Sequence, residues 1–147
     1  MVTNDITRIG HFPLRPDEFR PDAVIVANGE MPSLPLMKEW LSASPFTVCC
    51  DGAIRRFPVD LFHCDLIIGD GDSLAAYQSP DPVIRISEQE TNDLSKAVSY
   101  LQAQGKKRAV VLGATGYRGD HMIGNVSLLV HYLHRGFTAV ILDDYGI

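Results

Sequence analysis

Short runs of consecutive apolar and β-branched residues alternate along the chain with longer stretches whose apolar positions recur every three or four residues. Runs of the first kind read as strands buried on both faces, and stretches of the second kind as helices with one apolar stripe. Six strands follow: Ala23 to Asn28, Phe46 to Asp51, Leu66 to Asp70, Val83 to Ser87, Ala109 to Gly113 and Ala139 to Asp143. Helices fit between them at Leu34 to Ser42, where Pro35 is tolerated in the first turn, at a short piece from Gly52 to Phe57, at Asn92 to Gln104 and at Asp120 to His134. Gly105 and Gly136 stop the last two. Within Asn92 to Gln104, Leu94, Ala97, Val98 and Leu101 stand at i, i+3, i+4 and i+7, so this face is expected against a sheet. The alternation predicts an α/β fold with three layers, α/β/α, around a mainly parallel six-stranded sheet of Rossmann-like kind. The polar stretch Leu74 to Pro82, with two prolines, reads as a loop, and the first twenty or so residues as a tail or edge.

A chain of 147 residues with 46% hydrophobic content fits one domain spanning residues 1 to 147. Its net charge of -5 argues against a surface built for nucleic acid, which calls for clustered Lys and Arg. The one close basic run, Lys106-Lys107-Arg108, marks the end of a helix and its loop. A membrane span needs about 18 or more apolar residues, and no such tract exists; Met1 to Gly10 is too polar for a signal peptide, so the expected location is the cytoplasm. Cys49, Cys50 and Cys64 lie in or beside apolar runs and not at zinc spacing, and read as buried free thiols. The sixth strand runs into Asp143 to Ile147 with nothing after it, an ending that suits a truncated chain or an incomplete reading frame.

Candidate chemistry gathers where strands end. In Gly69-Asp70-Gly71-Asp72-Ser73 two carboxylates stand one residue apart, so in an extended chain both face one way, toward one hard cation. An Asx-rich turn accounts for the same string. Asp51-Gly52-Ala53 puts an acid and a glycine at the end of the second strand, either to bind a ligand hydroxyl or amine or to cap the next helix. Asp93 and Lys96 share a face in the opening turn of a helix, as metal and phosphate groups or as a surface ion pair behind a Thr or Asn cap. Gly113 to His121 leaves the fifth strand through three glycines and enters a helix, the setting in which backbone amides and Arg118 hold phosphate; it is no Walker A motif. Asp120 is there either a metal or water ligand or an ordinary first-turn acid, and His121 with Asn125 reads as a hydrogen-bonded structural pair. Several carboxylates with one arginine and one lysine at the carboxyl ends of strands describe a magnesium-nucleotide site.

These motifs resemble those of the thiamin pyrophosphokinases. Cys50 to Phe57 is similar to that family's Ala-Asp-Gly-Gly-Ala-Asn-Arg-Leu, Gly69 to Ser73 to its Gly-Asp-x-Asp-Ser, Thr91 to Ala97 to its Thr-Asp-x-x-Lys-Ala, and Gly113 to Asn125 to its Gly-x-x-Gly-x-Arg-x-Asp-His-x-x-x-Asn. Order and spacing agree over roughly residues 23 to 145. Two positions differ: Arg55 stands where the family has asparagine, and Tyr117 where it has a second glycine.

The resemblance implies transfer of a diphosphoryl group from ATP to thiamin, giving thiamin diphosphate and AMP, with Mg2+ as cofactor and ATP and thiamin as partners. It makes Asp70, Asp72 and Asp93 the magnesium ligands and Arg118 and Lys96 the groups that steer phosphates. Asp51, Gly52, Gly116 and Asp120 fall to the nucleotide site, and Gln89 to a thiamin contact. It also implies a homodimer and a C-terminal β-sandwich domain that completes the thiamin site, before which this chain stops. The competing readings are a non-catalytic nucleotide-binding module and another magnesium-dependent phosphotransferase on the same kind of sheet.

Overall fold

The computed structural model describes residues 16–69, 83–85, 92–116 and 119–144. The strands are β1 (Ala23–Val26), β2 (Thr47–Cys50), β3 (Leu66–Gly69), β4 (Val83–Arg85), β5 (Arg108–Leu112) and β6 (Thr138–Leu142). They form one sheet in the order β4-β3-β2-β1-β5-β6 with every neighbouring pair parallel. The helices are α1 (Pro16–Phe19), α2 (Leu34–Ala43), α3 (Asp93–Ala103) and α4 (Gly119–His134), and a 3-10 turn covers Asp51–Arg55. The polar stretch Leu74 to Pro82 lies outside the described residues.

Why the strands read as unbroken apolar runs is plain from the packing. Ala23, Ile25, Val48, Leu66, Ile68, Ala109 and Val111 face one layer, built on Leu94, Ala97, Val98 and Leu101 of α3 and on Tyr132 of α4. Val24, Val26, Cys49, Ile67, Val110 and Leu112 face the other, with Met37, Trp40 and Leu41 of α2. Successive strand residues alternate faces, so a strand covered on both sides has no position left for a polar side chain. The i, i+3, i+4, i+7 stripe of α3 is the buried face, as its spacing requires.

Residues 16–22, the described end of the stretch read as a tail or edge, pack against the sheet. Phe19 in α1 is buried, and the Arg108 guanidinium lies 4.6 Å from its ring centroid, so an aromatic ring and a cation pin the segment to the start of β5. Asp22 adds to this by accepting from the Lys107 and Arg108 amides at 2.8 and 3.1 Å. All three cysteines are buried free thiols. Among the described residues no helix is long and apolar enough to cross a membrane.

The strand order positions the site. From β1 the chain adds β2, β3 and β4 on one side, then returns with β5 to the other side of β1. Right-handed crossovers put the helices of the two halves on opposite faces, so the loops leaving β1 and β5 part there and open a crevice at the carboxyl edge.

Candidate functional site

A cavity of about 680 Å³ occupies that crevice, a volume in the range of small-ligand sites. The loops after β1 and β5 run side by side along it: the Ala27 amide donates to the Leu112 carbonyl at 2.7 Å, Gly29 to Gly113 at 2.5 Å and Glu30 to Thr115 at 2.8 Å. At Gly116, φ is +78° and an added Cβ would lie 2.6 Å from the Glu30 carboxylate, so this corner admits glycine alone. The cavity is lined by Asn28 and Gly29 after β1, Cys50 at the end of β2, Arg56 after the 3-10 turn, and the first residues of α3 and α4. Two helix N-termini therefore meet one space, each bringing amide donors and a positive dipole end.

The two N-termini are tied to one another. Asn92 caps α3, its Oδ1 accepting from the Ser95 amide at 2.8 Å, while its Nδ2 donates to Asn125 Oδ1 at 3.1 Å. Asn125 Nδ2 in turn donates to the Ala114 carbonyl at 3.1 Å, so one chain of amides spans α3, α4 and the loop after β5. Asn125 thus links Asn92 to Ala114, and its expected pairing with His121 falls on a side chain outside the described residues.

The acids converge beside Gly69. A Cβ there would run into the Asp51 side chain and lie 3.2 Å from Asp93 Oδ2, so the end of β3 needs a bare backbone between two carboxylates. Asp51 is only 2% exposed. The Cys50 thiol reports this field: burial first, then the charges of Asp93 and Asp51, push it far above its ordinary range. Cys50 keeps its proton when folded at a pH where the unfolded chain has lost it, so stability falls as pH rises through the ordinary thiol value of 9.0. Buried Tyr132, raised in the same direction, adds to that loss above its own ordinary value of 10.0. Urea midpoints taken between about pH 8 and 10 are expected to drop for the wild type and to drop less for C50A.

Lys96 is the unexpected cation. Instead of an ion pair at the surface, the structure buries it to 6% exposure with its Nζ 3.7 Å from Asp93 Oδ1. An ammonium is withheld from water at such a place only where negative charge compensates it. Arg56, which the sequence reading passed over, lines the same cavity and clamps the end of β1, donating from one guanidinium nitrogen to Asn28 Oδ1 at 2.6 Å, the Asn28 carbonyl at 3.0 Å and the Gly29 carbonyl at 3.1 Å. Its signal was the arginine of the Cys50 to Phe57 motif, directly after the divergent Arg55, which is exposed.

Of the residues predicted for the site, Asp93, Gly116 and Asp120 line the cavity, Asp51 and Lys96 stand behind Cys50 and Asp93, and Gly52 packs against the Asn28 side chain. Asp70, Asp72, Gln89 and Arg118 lie outside the described residues. Among the described residues no three His, Cys, Asp or Glu side chains gather closely enough to hold an ion. Asp51 and Asp93 at Gly69 supply carboxylate oxygens, a chemistry that suits a hard cation, while the Cys50 thiol beside them is held in its protonated form.

Residues 37–141 match the family described as thiamin pyrophosphokinase, catalytic domain. Thiamine pyrophosphokinase 1 of Oryza sativa subsp. japonica is 30% identical over 91% of this chain and 60% of its own length, and thiamine pyrophosphokinase 2 of Arabidopsis thaliana is 27% identical over 75% and 51%. Among solved structures, thiamin pyrophosphokinase from Geobacillus thermodenitrificans superposes with a TM-score of 0.65 at 24% identity, covering 82% of this chain and 59% of its own, and the yeast enzyme with 0.68 at 16%, covering 84% and 59%. The chain thus spans between half and two thirds of these relatives. With the matched segment running from α2 to β6, this chain belongs to the thiamin pyrophosphokinase catalytic-domain family.

Proposed function

We propose that this chain carries the nucleotide side of a magnesium-dependent thiamin diphosphokinase. The observation that supports the reading best is the cavity at the crevice between β1 and β5, where Asp93, Asp120 and Arg56 meet two helix N-termini, with Asp51 and a buried lysine behind them. In the reaction the thiamin hydroxyl attacks the β-phosphorus of ATP, a P–O bond to that hydroxyl forms, the bond to the α-phosphate oxygen breaks, and AMP leaves. Asp93, with Asp70 and Asp72, would hold the magnesium ion, which when bound draws charge from the polyphosphate oxygens. The Lys96 ammonium, fixed beside Asp93, compensates charge at the same end of the site, and Arg118 is taken to grip phosphate oxygens. Arg56 keeps the Asn28-Gly29 wall in place, and the amides that open α3 and α4 orient the anion. The thiamin side, with Gln89, is taken to be completed by the family's β-sandwich domain in a homodimer, and the location to be the cytoplasm.

One assay decides between this and the other readings. The chain is incubated with magnesium-ATP with and without thiamin, and AMP, ADP and free phosphate are resolved. Thiamin-dependent AMP is the expected product. Nucleotide binding without turnover would mark a binding module, and ADP or phosphate formed without thiamin another phosphotransferase.

A further inference from the structure

The asparagines that join α3 to α4 carry more hydrogen bonds than their own helices need. Capping α3 takes an acceptor at position 92, and Ser, Thr or Asp supplies one about as well as Asn does. Asn92 caps with Oδ1, at 2.8 Å from the Ser95 amide. Its Nδ2 is left to donate farther out than a Ser or Thr hydroxyl reaches, where an Asp carboxylate has no proton to give. That donor goes to Asn125 Oδ1 at 3.1 Å. Asn125 is a weak helix former inside α4, yet both ends of its amide are used, the second on the Ala114 carbonyl at 3.1 Å. Both asparagines line the cavity. We propose that Asn92 and Asn125 are a positioning pair that fixes the span between the metal side of the cavity, at Asp93 and Lys96, and its phosphate side, at the loop after β5 and the start of α4.

The two sides hang on different parts of the sheet. Helix α3 packs on β1, β2 and β3, and α4 on β6. The loop after β5 is held from another direction, by the Gly29 and Glu30 amides of the loop after β1 and by the Thr115 hydroxyl, which donates to Asp143 Oδ2 at 2.8 Å. Farther along the helices the Ser95 and Tyr132 hydroxyls meet at 2.7 Å and the Gln102 amide donates to the Arg135 carbonyl, but none of these four residues lines the cavity. Those ties keep α3 on α4 when the asparagine link is cut, and the link itself acts at the cavity. A nucleotide polyphosphate has a fixed length, so Asp93 on one side and the amides that open α4 on the other serve one magnesium-loaded ligand only at one separation. This role rests on the nucleotide reading of the cavity.

The test is calorimetric titration of the purified 147-residue chain with the α,β-methylene analogue of ATP, whose α–β link the reaction cannot break, in magnesium and again in EDTA. N92S keeps a cap and loses the link, so its melting temperature is expected within about 3 °C of wild type. Its Kd for the magnesium-loaded analogue is expected to rise about tenfold, the effect of losing one or two hydrogen bonds. N125A is expected to do the same, and the double variant to lose no more than N125A alone, because both substitutions cut one link. In EDTA Asp93 has no hold on the ligand, and the difference between N92S and wild type is expected to shrink to within about twofold, a split that general loosening of the fold would not give. No binding by the wild type in magnesium overturns the nucleotide reading and this role with it. Binding that N92S and N125A keep in full overturns this role alone, and so does an equal loss in magnesium and in EDTA.

Discussion

Asp93→Asn is expected to lower thiamin-dependent AMP formation by about 10²–10³-fold, the effect of taking several kcal/mol of charge stabilisation from a phosphoryl-transfer site. The side chain keeps its shape and loses its charge, and three things change together. One of the proposed magnesium ligands becomes a neutral amide. Lys96, buried to 6% exposure, loses the carboxylate 3.7 Å away that compensates it. The acidic field at Cys50 weakens, since Asp93 leads Asp51 among the charges acting on that thiol. Initial rates from quantified AMP, with a thermal melt to show the variant folded, check the prediction. A rate within about threefold of wild type would remove Asp93 from the metal site, because even a lost outer-shell partner typically costs tenfold or more.

Trp40→Ala is expected to cost about 3–5 kcal/mol of stability, the range for truncating a fully buried aromatic side chain. Trp40 is 0% exposed and lies in the layer that Met37 and Leu41 of α2 share with Val24, Val26 and Cys49 of the sheet. Its indole N–H makes no hydrogen bond among the described residues, so the loss is one of packing and a vacated volume. Urea unfolding followed by tryptophan-independent circular dichroism is the measurement. A loss below about 1 kcal/mol would mean that α2 collapses onto the sheet without its largest side chain.

The two predictions draw on unequal shares of sequence and fold. Trp40 could be placed inside from the apolar spacing of its helix. Asp93 was visible as the first-turn acid of a helix, but its weight comes from Gly69 and Asp51, which the parallel pairing of β2 and β3 brings beside it. Lys96 shows the limit most clearly. Three residues from Asp93, it read either as a phosphate-binding ammonium or as half of a surface pair, because helix periodicity says which residues share a face and not how deeply that face sinks.

Local chemistry settled the elements: β-branched runs made strands, Asn92 capped α3, and acids and glycines marked the carboxyl ends of strands, since each depends on neighbours within a few residues. Tertiary structure alone decided that β5 returns to lie against β1, that Arg56 reaches back 28 residues to Asn28, and that Asn92 at the start of α3 meets Asn125 of α4. Those outcomes depend on which distant surfaces meet, and that is fixed by the packing of whole layers and not by the order of residues along any one of them.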